Sequence, residues 1–96
     1  MNDILTQIEQ FGVVPVVAID AVDHALGLGR ALIDGGLPCA EITFRTAAAA
    51  DAIQAMTSNY PEMLVGAGTV LTVAQAQKAA DAGARFVVTL PAAGNG

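Results

Sequence analysis

The chain has 96 residues, of which 54% are hydrophobic and 14% are charged, and its formal net charge is −5. This length predicts one small domain, and the apolar composition excludes an intrinsically disordered chain. Four Lys and Arg residues are too few for a nucleic-acid or anionic-membrane surface, and the single cysteine, Cys39, excludes a disulfide framework or a cysteine-based zinc site.

The first twelve residues are predicted to form a helix, because Ile4, Leu5 and Ile8 recur at helical spacing. This segment carries acidic residues but no Lys or Arg, which is unlike a secretory signal. Apolar runs throughout the chain stay well below the roughly 18 residues that a membrane span needs. We therefore expect a cytoplasmic protein that does not associate with membranes.

Four later segments are predicted to be strands. Each is short, apolar and largely uncharged, as expected of strands that are covered on both faces. The segments are VVPVVAI (13–19), PCAEITF (38–44), MLVGAGTV (63–70) and FVVTL (86–90).

Three helices are predicted between these strands, each from apolar residues at helical spacing and from residues that favour helix ends. The first two helices are expected to begin at a side chain that can cap the first turn, and the third is expected to begin with a capping box. The first helix is expected to run from Asp20 to Gly35-Gly36, and the second from Thr46 to 59–61. The third is expected to run from Thr72, whose capping box includes Gln75, to Gly83.

The alternation of strands and helices predicts an α/β fold of βαβ units with four parallel strands. We expect one domain over residues 1–96. It would comprise the N-terminal helix (1–12), three βα units plus a fourth strand (13–91) and a short tail (92–96).

The second predicted strand contains charged residues where apolar ones are expected. Side chains alternate between the faces of a strand, so Glu41, Thr43 and Arg45 are predicted to share one face, and Ile42 and Phe44 the other. Burying an unpaired charge costs several kcal/mol. Separate surface groups are one explanation. In a strand between βα units, however, the polar face must point into a barrel or towards another sheet surface, which favours a functional site.

The stretch GLPCAEITFRT (36–46) resembles the active-site signature of the family of 2-keto-3-deoxy-6-phosphogluconate (KDPG) and 4-hydroxy-2-oxoglutarate (KHG) aldolases. These are class I, Schiff-base aldolases with a TIM (β/α)8 barrel. The segments VVPVVAI (13–19), GAGTVLT (66–72) and AGARFVVT (82–89) resemble the family in the same order. The resemblance implies that this chain forms the N-terminal half of such a barrel.

The resemblance implies a role for three residues. Glu41 would be the general acid/base, and Arg45 and Thr69 would bind the carboxylate of the pyruvyl part of a 2-keto acid. A guanidinium suits a carboxylate, and Thr69 ends a strand where barrel enzymes place their sites. The glycines of GAG (66–68) either allow a close backbone approach or ease packing of the strand against a helix.

The family also uses a lysine that forms the Schiff base, and no residue of the chain matches it. Lys78, the single lysine, is predicted to lie on the outer face of the third helix. We therefore expect the isolated chain to be inactive in the aldol cleavage that yields pyruvate and to bind a pyruvate-like 2-keto acid weakly, if at all. Neither a cofactor nor a metal is implied.

Two other functions remain open. Because half of a barrel would expose strand edges and apolar surface, the chain is expected to form a homodimer or a higher homo-oligomer, and it could be a non-catalytic, self-associating assembly module. A flavodoxin-like binding protein is less favoured, because the first strand-to-helix turn, AIDAVDH (18–24), has no glycines to hold a phosphate.

Overall fold

Four parallel strands alternate with three helices in the computed structural model, which describes Gly12 and residues 14–89. The strands are β1 (Val16–Val17), β2 (Cys39–Thr43), β3 (Leu64–Val70) and β4 (Phe86–Thr89). The helices are α1 (Asp23–Asp34), α2 (Ala49–Asn59) and α3 (Val73–Asp81). The predicted α/β fold with four parallel strands is confirmed. The predicted N-terminal helix (apart from Gly12) and the tail over 92–96 lie outside the described residues.

The strands lie side by side in chain order, β1-β2-β3-β4, as successive strands of a barrel wall do. Glu41 pairs with Val16 of β1 on one side and with Gly66 of β3 on the other, and Gly66 pairs with Phe86 of β4. Because paired residues of a parallel ladder project to the same side, these four residues share one face of the sheet.

The opposite face of the sheet packs against the helices. Ile42 of β2 and Ala67 of β3 are fully buried there, together with Ile53 and Met56 of α2. Phe44 packs against the same core at its margin. The predicted division of the second strand into a core face and a polar face is therefore confirmed for Ile42 and Phe44.

The first two helices begin later than the sequence predicts. Val22 and Ala48 are the N-cap residues of α1 and α2, and neither makes a side-chain capping hydrogen bond, so the predictions for Asp20 and Thr46 are wrong. Short turns precede both helices. The hydroxyl of Thr46 instead donates a hydrogen bond to the carbonyl of Ile19, at 2.6 Å, and so joins the loop after β2 to the segment after β1.

The third helix begins as predicted. The Thr72 hydroxyl accepts a hydrogen bond from the backbone N–H of Gln75, at 3.1 Å. The Gln75 side-chain oxygen reaches back to accept one from the N–H of Leu71, at 2.7 Å. Gly83 follows the helix with a φ of +103°, which favours glycine. None of the helices within residues 14–89 is long and apolar enough to cross a membrane.

Replacing Thr72 with alanine is expected to lower the free energy of unfolding by about 1 kcal/mol, because the first turn of α3 loses its capping acceptor. Denaturant titration followed by circular dichroism measures the change. Thr72→Ser retains the hydroxyl and serves as the control, with a stability close to that of the original chain. Equal stabilities for Thr72→Ala and Thr72→Ser would show that the cap contributes nothing.

Candidate functional site

Glu41 lies in the middle of β2, on the face turned away from the helices, and is half-buried. Its side chain extends across β3 above Gly68. A Cβ atom added at Gly68 would lie 2.7 Å from Cδ of Glu41 and would collide with its carboxylate oxygen Oε2. Glycine at position 68 therefore leaves the space that the Glu41 carboxylate occupies.

The neighbouring glycine has the same function for another side chain. A Cβ atom at Gly66 would collide with the aromatic ring of Phe86, which lies over β3 from β4. The glycines of the GAG segment thus make room for two side chains on one face, rather than for a backbone approach or a packed helix. Local sequence does not predict that Phe86 lies over Gly66, because this contact depends on cross-strand register.

The Glu41 carboxylate is available for chemistry. Within the described part of the chain, no group donates a hydrogen bond to it and no cation forms an ion pair with it. No buried side-chain oxygen or nitrogen lacks a partner in that same part. Because the Glu41 carboxylate has no partner in that part, its oxygens cannot be fully buried. A ligand could therefore reach them and exchange a proton with them.

Thr69 has an unusual backbone conformation next to Gly68. Its φ is +56°, in the left-handed region that a β-branched residue rarely adopts. The pairing of β3 with β4 shifts register between Ala67 and Val70, and both of these residues belong to the core although they are three positions apart. The extra residue of this bulge takes Thr69 out of the alternation that would place it in the core with Ala67.

Arg45 does not lie on the second strand, contrary to prediction. β2 ends at Thr43, and Arg45 is exposed in the turn that leads to α2. The N–H of Phe44 donates a hydrogen bond to the carbonyl of Gly68, at 2.8 Å, and the chain turns away from the strand at this point. Arg45 therefore does not continue the strand face of Glu41 and Thr43.

The same hydrogen bond brings the backbones of the three predicted site residues to one edge of the sheet. Arg45 follows Phe44, Thr69 follows Gly68, and the Glu41 carboxylate lies over Gly68. This is the carboxyl edge of β2 and β3, where parallel α/β folds bind their ligands. The structure thus places a carboxylate, a guanidinium-bearing loop and a strained threonine around one short stretch of β3.

Other reactive side chains lie away from this edge. Cys39 is buried at the start of β2, and burial raises the pKa of its thiol, as expected of a packed cysteine. Lys78 is exposed on α3 and His24 is exposed on α1. Among the residues that the structure describes, no group of His, Cys, Asp or Glu could hold a metal ion.

Known proteins match both the sequence and the fold. The family described as "Aldolase: KDPG and KHG aldolase" matches residues 4–93. The 2-dehydro-3-deoxy-phosphogluconate aldolase of Treponema pallidum is 52% identical over 89 residues, which are 93% of this chain and 42% of that protein. The KHG/KDPG aldolase of Escherichia coli K12 is 43% identical over 77 residues, which are 80% of this chain and 36% of that protein.

Solved structures of KDPG aldolases also match the fold of this chain. The KDPG aldolase of Zymomonas mobilis ZM4, crystallised with 3-phosphoglycerate, superimposes with a TM-score of 0.82 at 37% identity, covering 93% of this chain and 42% of that one. The Legionella pneumophila KDPG aldolase, with pyruvate captured as a covalent carbinolamine, gives a TM-score of 0.75 at 39% identity. This match covers 79% of this chain and 37% of that one. The chain thus spans about two fifths of the length of these relatives. With a family match over most of its residues, the chain belongs to the KDPG and KHG aldolase family.

Proposed function

We propose that this chain supplies the carboxylate-binding and proton-transfer part of a 2-keto acid aldolase site. Glu41 is the general acid/base, and Arg45 and Thr69 bind the carboxylate of a pyruvate-like ligand. The observation that carries the proposal is the Glu41 carboxylate, which lies over Gly68 beside the strained backbone of Thr69 and has no partner among the described residues. Strain of this kind is concentrated at functional sites, where the surrounding structure maintains it.

The chemistry fits this assignment of roles. Pyruvate carries one carboxylate, which a guanidinium binds with two parallel hydrogen bonds and a hydroxyl supports with a third. Formation and collapse of a carbinolamine require a proton to be moved to and from the hydroxyl on the former carbonyl carbon. A carboxyl group within hydrogen-bond reach performs such a transfer. The position of Glu41, on the sheet face opposite the helices with its carboxylate over Gly68, supports this role.

A pyruvate titration tests the binding role. Arg45→Ala and Thr69→Ala are each expected to weaken pyruvate binding about tenfold, because each removes a hydrogen bond to a charged group. Ligand-observed NMR measures the dissociation constants. Arg85→Ala is the matched control, since Arg85 is also exposed but precedes β4, and it should leave the affinity unchanged. Equal affinities for all three variants and the original chain would contradict the assignment.

The covalent step is tested separately. Lys78, the single lysine among the 96 residues, lies on α3, and the helices cover the sheet face opposite the Glu41 carboxylate, so it is not placed to attack a ketoacid held beside Glu41. Borohydride reduction in the presence of pyruvate is therefore expected to leave the mass of the chain unchanged. A reduced pyruvyl adduct on Lys78, found by peptide mass spectrometry, would overturn this expectation.

A second candidate function is self-association through the inner face and edges of the sheet. Val16, on the Glu41 face of β1, is 64% exposed, and Val88 of β4 is 41% exposed. Within residues 14–89, β1 and β4 each pair along one edge only. Unpaired edges and exposed apolar side chains both favour contact with a second copy.

Light scattering tests self-association. The particle mass at micromolar concentration is expected to be at least twice the 9.7 kDa of one chain. Val16→Lys places a charge on the exposed apolar face and is expected to lower that mass, whereas Gln54→Lys on the outer surface of α2 should not. A monodisperse particle of 9.7 kDa would contradict a homo-oligomer.

A further inference from the structure

A small notch opens between the loop after β2, the start of α2 and the outer surface of α3. Its volume is about 210 Å³. The notch lies on the helix side of the sheet, because both α2 and α3 contribute to its walls. The lining residues are Phe44, Arg45, Thr46, Ala47, Ala50, Gln75 and Lys78.

The notch is positively charged in a chain that is negative overall. Two of the four basic residues, Arg45 and Lys78, line it, although the net charge of the chain is −5. No carboxylate is among the lining residues; Asp51 lies in the first turn of α2 but does not line the notch. Neither cation forms an ion pair with any residue in the described part of the chain.

Neutral groups of the notch are also hydrogen-bond donors. The N-cap of α2 is Ala48, whose side chain cannot accept a hydrogen bond from the first turn. The N–H of Ala49 bonds to the carbonyl of Thr46, at 3.2 Å, so the donors left at this helix end among the described residues are the N–H groups of Ala50 and Asp51, which carry positive partial charge. The oxygen of the Gln75 side chain is occupied by the N–H of Leu71. Its amide nitrogen therefore remains to donate.

We propose that this notch binds a small oxyanion of the phosphate class. Two cations line this notch without a carboxylate among its walls or an ion-pair partner among the described residues, and an anion between them would accept hydrogen bonds from both. The donors of Gln75 and of the first turn of α2 suit the remaining oxygens. Arg45 belongs both to this notch and to the proposed ketoacid site. The phosphate proposal does not depend on the ketoacid site, because Lys78, Gln75 and α2 take no part in that site.

Titration with inorganic phosphate at low ionic strength, followed by NMR of the ¹⁵N-labelled chain, tests the proposal. Saturable shifts are expected for residues 44–50 and 75–78. Lys78→Ala is expected to weaken phosphate binding about tenfold, and Lys78→Arg should retain it within about twofold. Arg85→Ala removes an exposed cation elsewhere and should leave it unchanged. Because Lys78 is exposed, its replacement leaves the core intact.

Shifts that never saturate, shifts spread over all exposed cations, or equal affinities for Lys78→Ala and the original chain would overturn the notch as a site. A parallel pyruvate titration separates this proposal from the ketoacid site. Lys78→Ala should leave pyruvate affinity unchanged. If the original chain bound phosphate but showed no response to pyruvate, the ketoacid site would be contradicted and the phosphate proposal would stand.

Discussion

Replacing Gly68 with alanine is expected to displace the Glu41 carboxylate at a cost in stability of about 1 kcal/mol or less, because the colliding atoms belong to the flexible end of a half-buried side chain. The added Cβ would lie 2.7 Å from Cδ of Glu41 and 2.9 Å from its Cγ, distances that no real contact tolerates, so the side chain must move. Because the position is buried within β3, the backbone has little freedom to yield. Denaturant titration measures the loss of stability.

A double-mutant cycle identifies the cause of that loss. In the Glu41→Ala background the colliding atoms are absent, so Gly68→Ala should cost less than it does in the original chain, by up to about 1 kcal/mol. Gly27→Ala is the matched control, because nothing lies within 4 Å of a Cβ added there and the position is in α1. That control should be neutral or stabilising. An equal cost of Gly68→Ala in both backgrounds would show that Glu41 does not lie over Gly68.

Replacing Ile53 with alanine is expected to cost about 2–5 kcal/mol. Ile53 is fully buried on the face of α2 that packs against the sheet, and truncation leaves a cavity in the core. A domain of this size is stable by only about 5–15 kcal/mol, so the substitution is expected to remove a large fraction of the total stability.

Circular dichroism and denaturant titration measure the effect of Ile53→Ala. Gln54→Ala, on the exposed side of the same helix, is the control, and should change the free energy of unfolding by less than about 0.5 kcal/mol. If the two variants were equally stable, the core would not lie between α2 and the sheet as described.

Much of the fold could be predicted from the sequence, because hydrophobic periodicity is a local property. The predicted strand over 63–70 differs from β3 by one residue, and the capping box at Thr72 is confirmed. The caps at Asp20 and Thr46 failed for a tertiary reason. A turn precedes each helix, and the Thr46 hydroxyl bonds to the distant carbonyl of Ile19 instead of to its own helix.

The site was predicted less completely than the fold. Alternation along one strand correctly places Glu41 opposite Ile42, but it extends the strand too far and so misplaces Arg45. The space above Gly68 depends on which residue of β2 pairs with which residue of β3, and local sequence does not contain that register. Intrinsic preference argues against a positive φ at Thr69, so only the folded structure reveals it.

Mapping pyruvate on the ¹⁵N-labelled chain tests the central claim most directly. The claim is that Glu41, Arg45 and Thr69 converge at the carboxyl edge of β2 and β3 to hold a ketoacid. The account predicts saturable shifts that are largest at residues 41–45 and 68–69. Saturable shifts confined to other regions, or none at any ligand concentration, would contradict it.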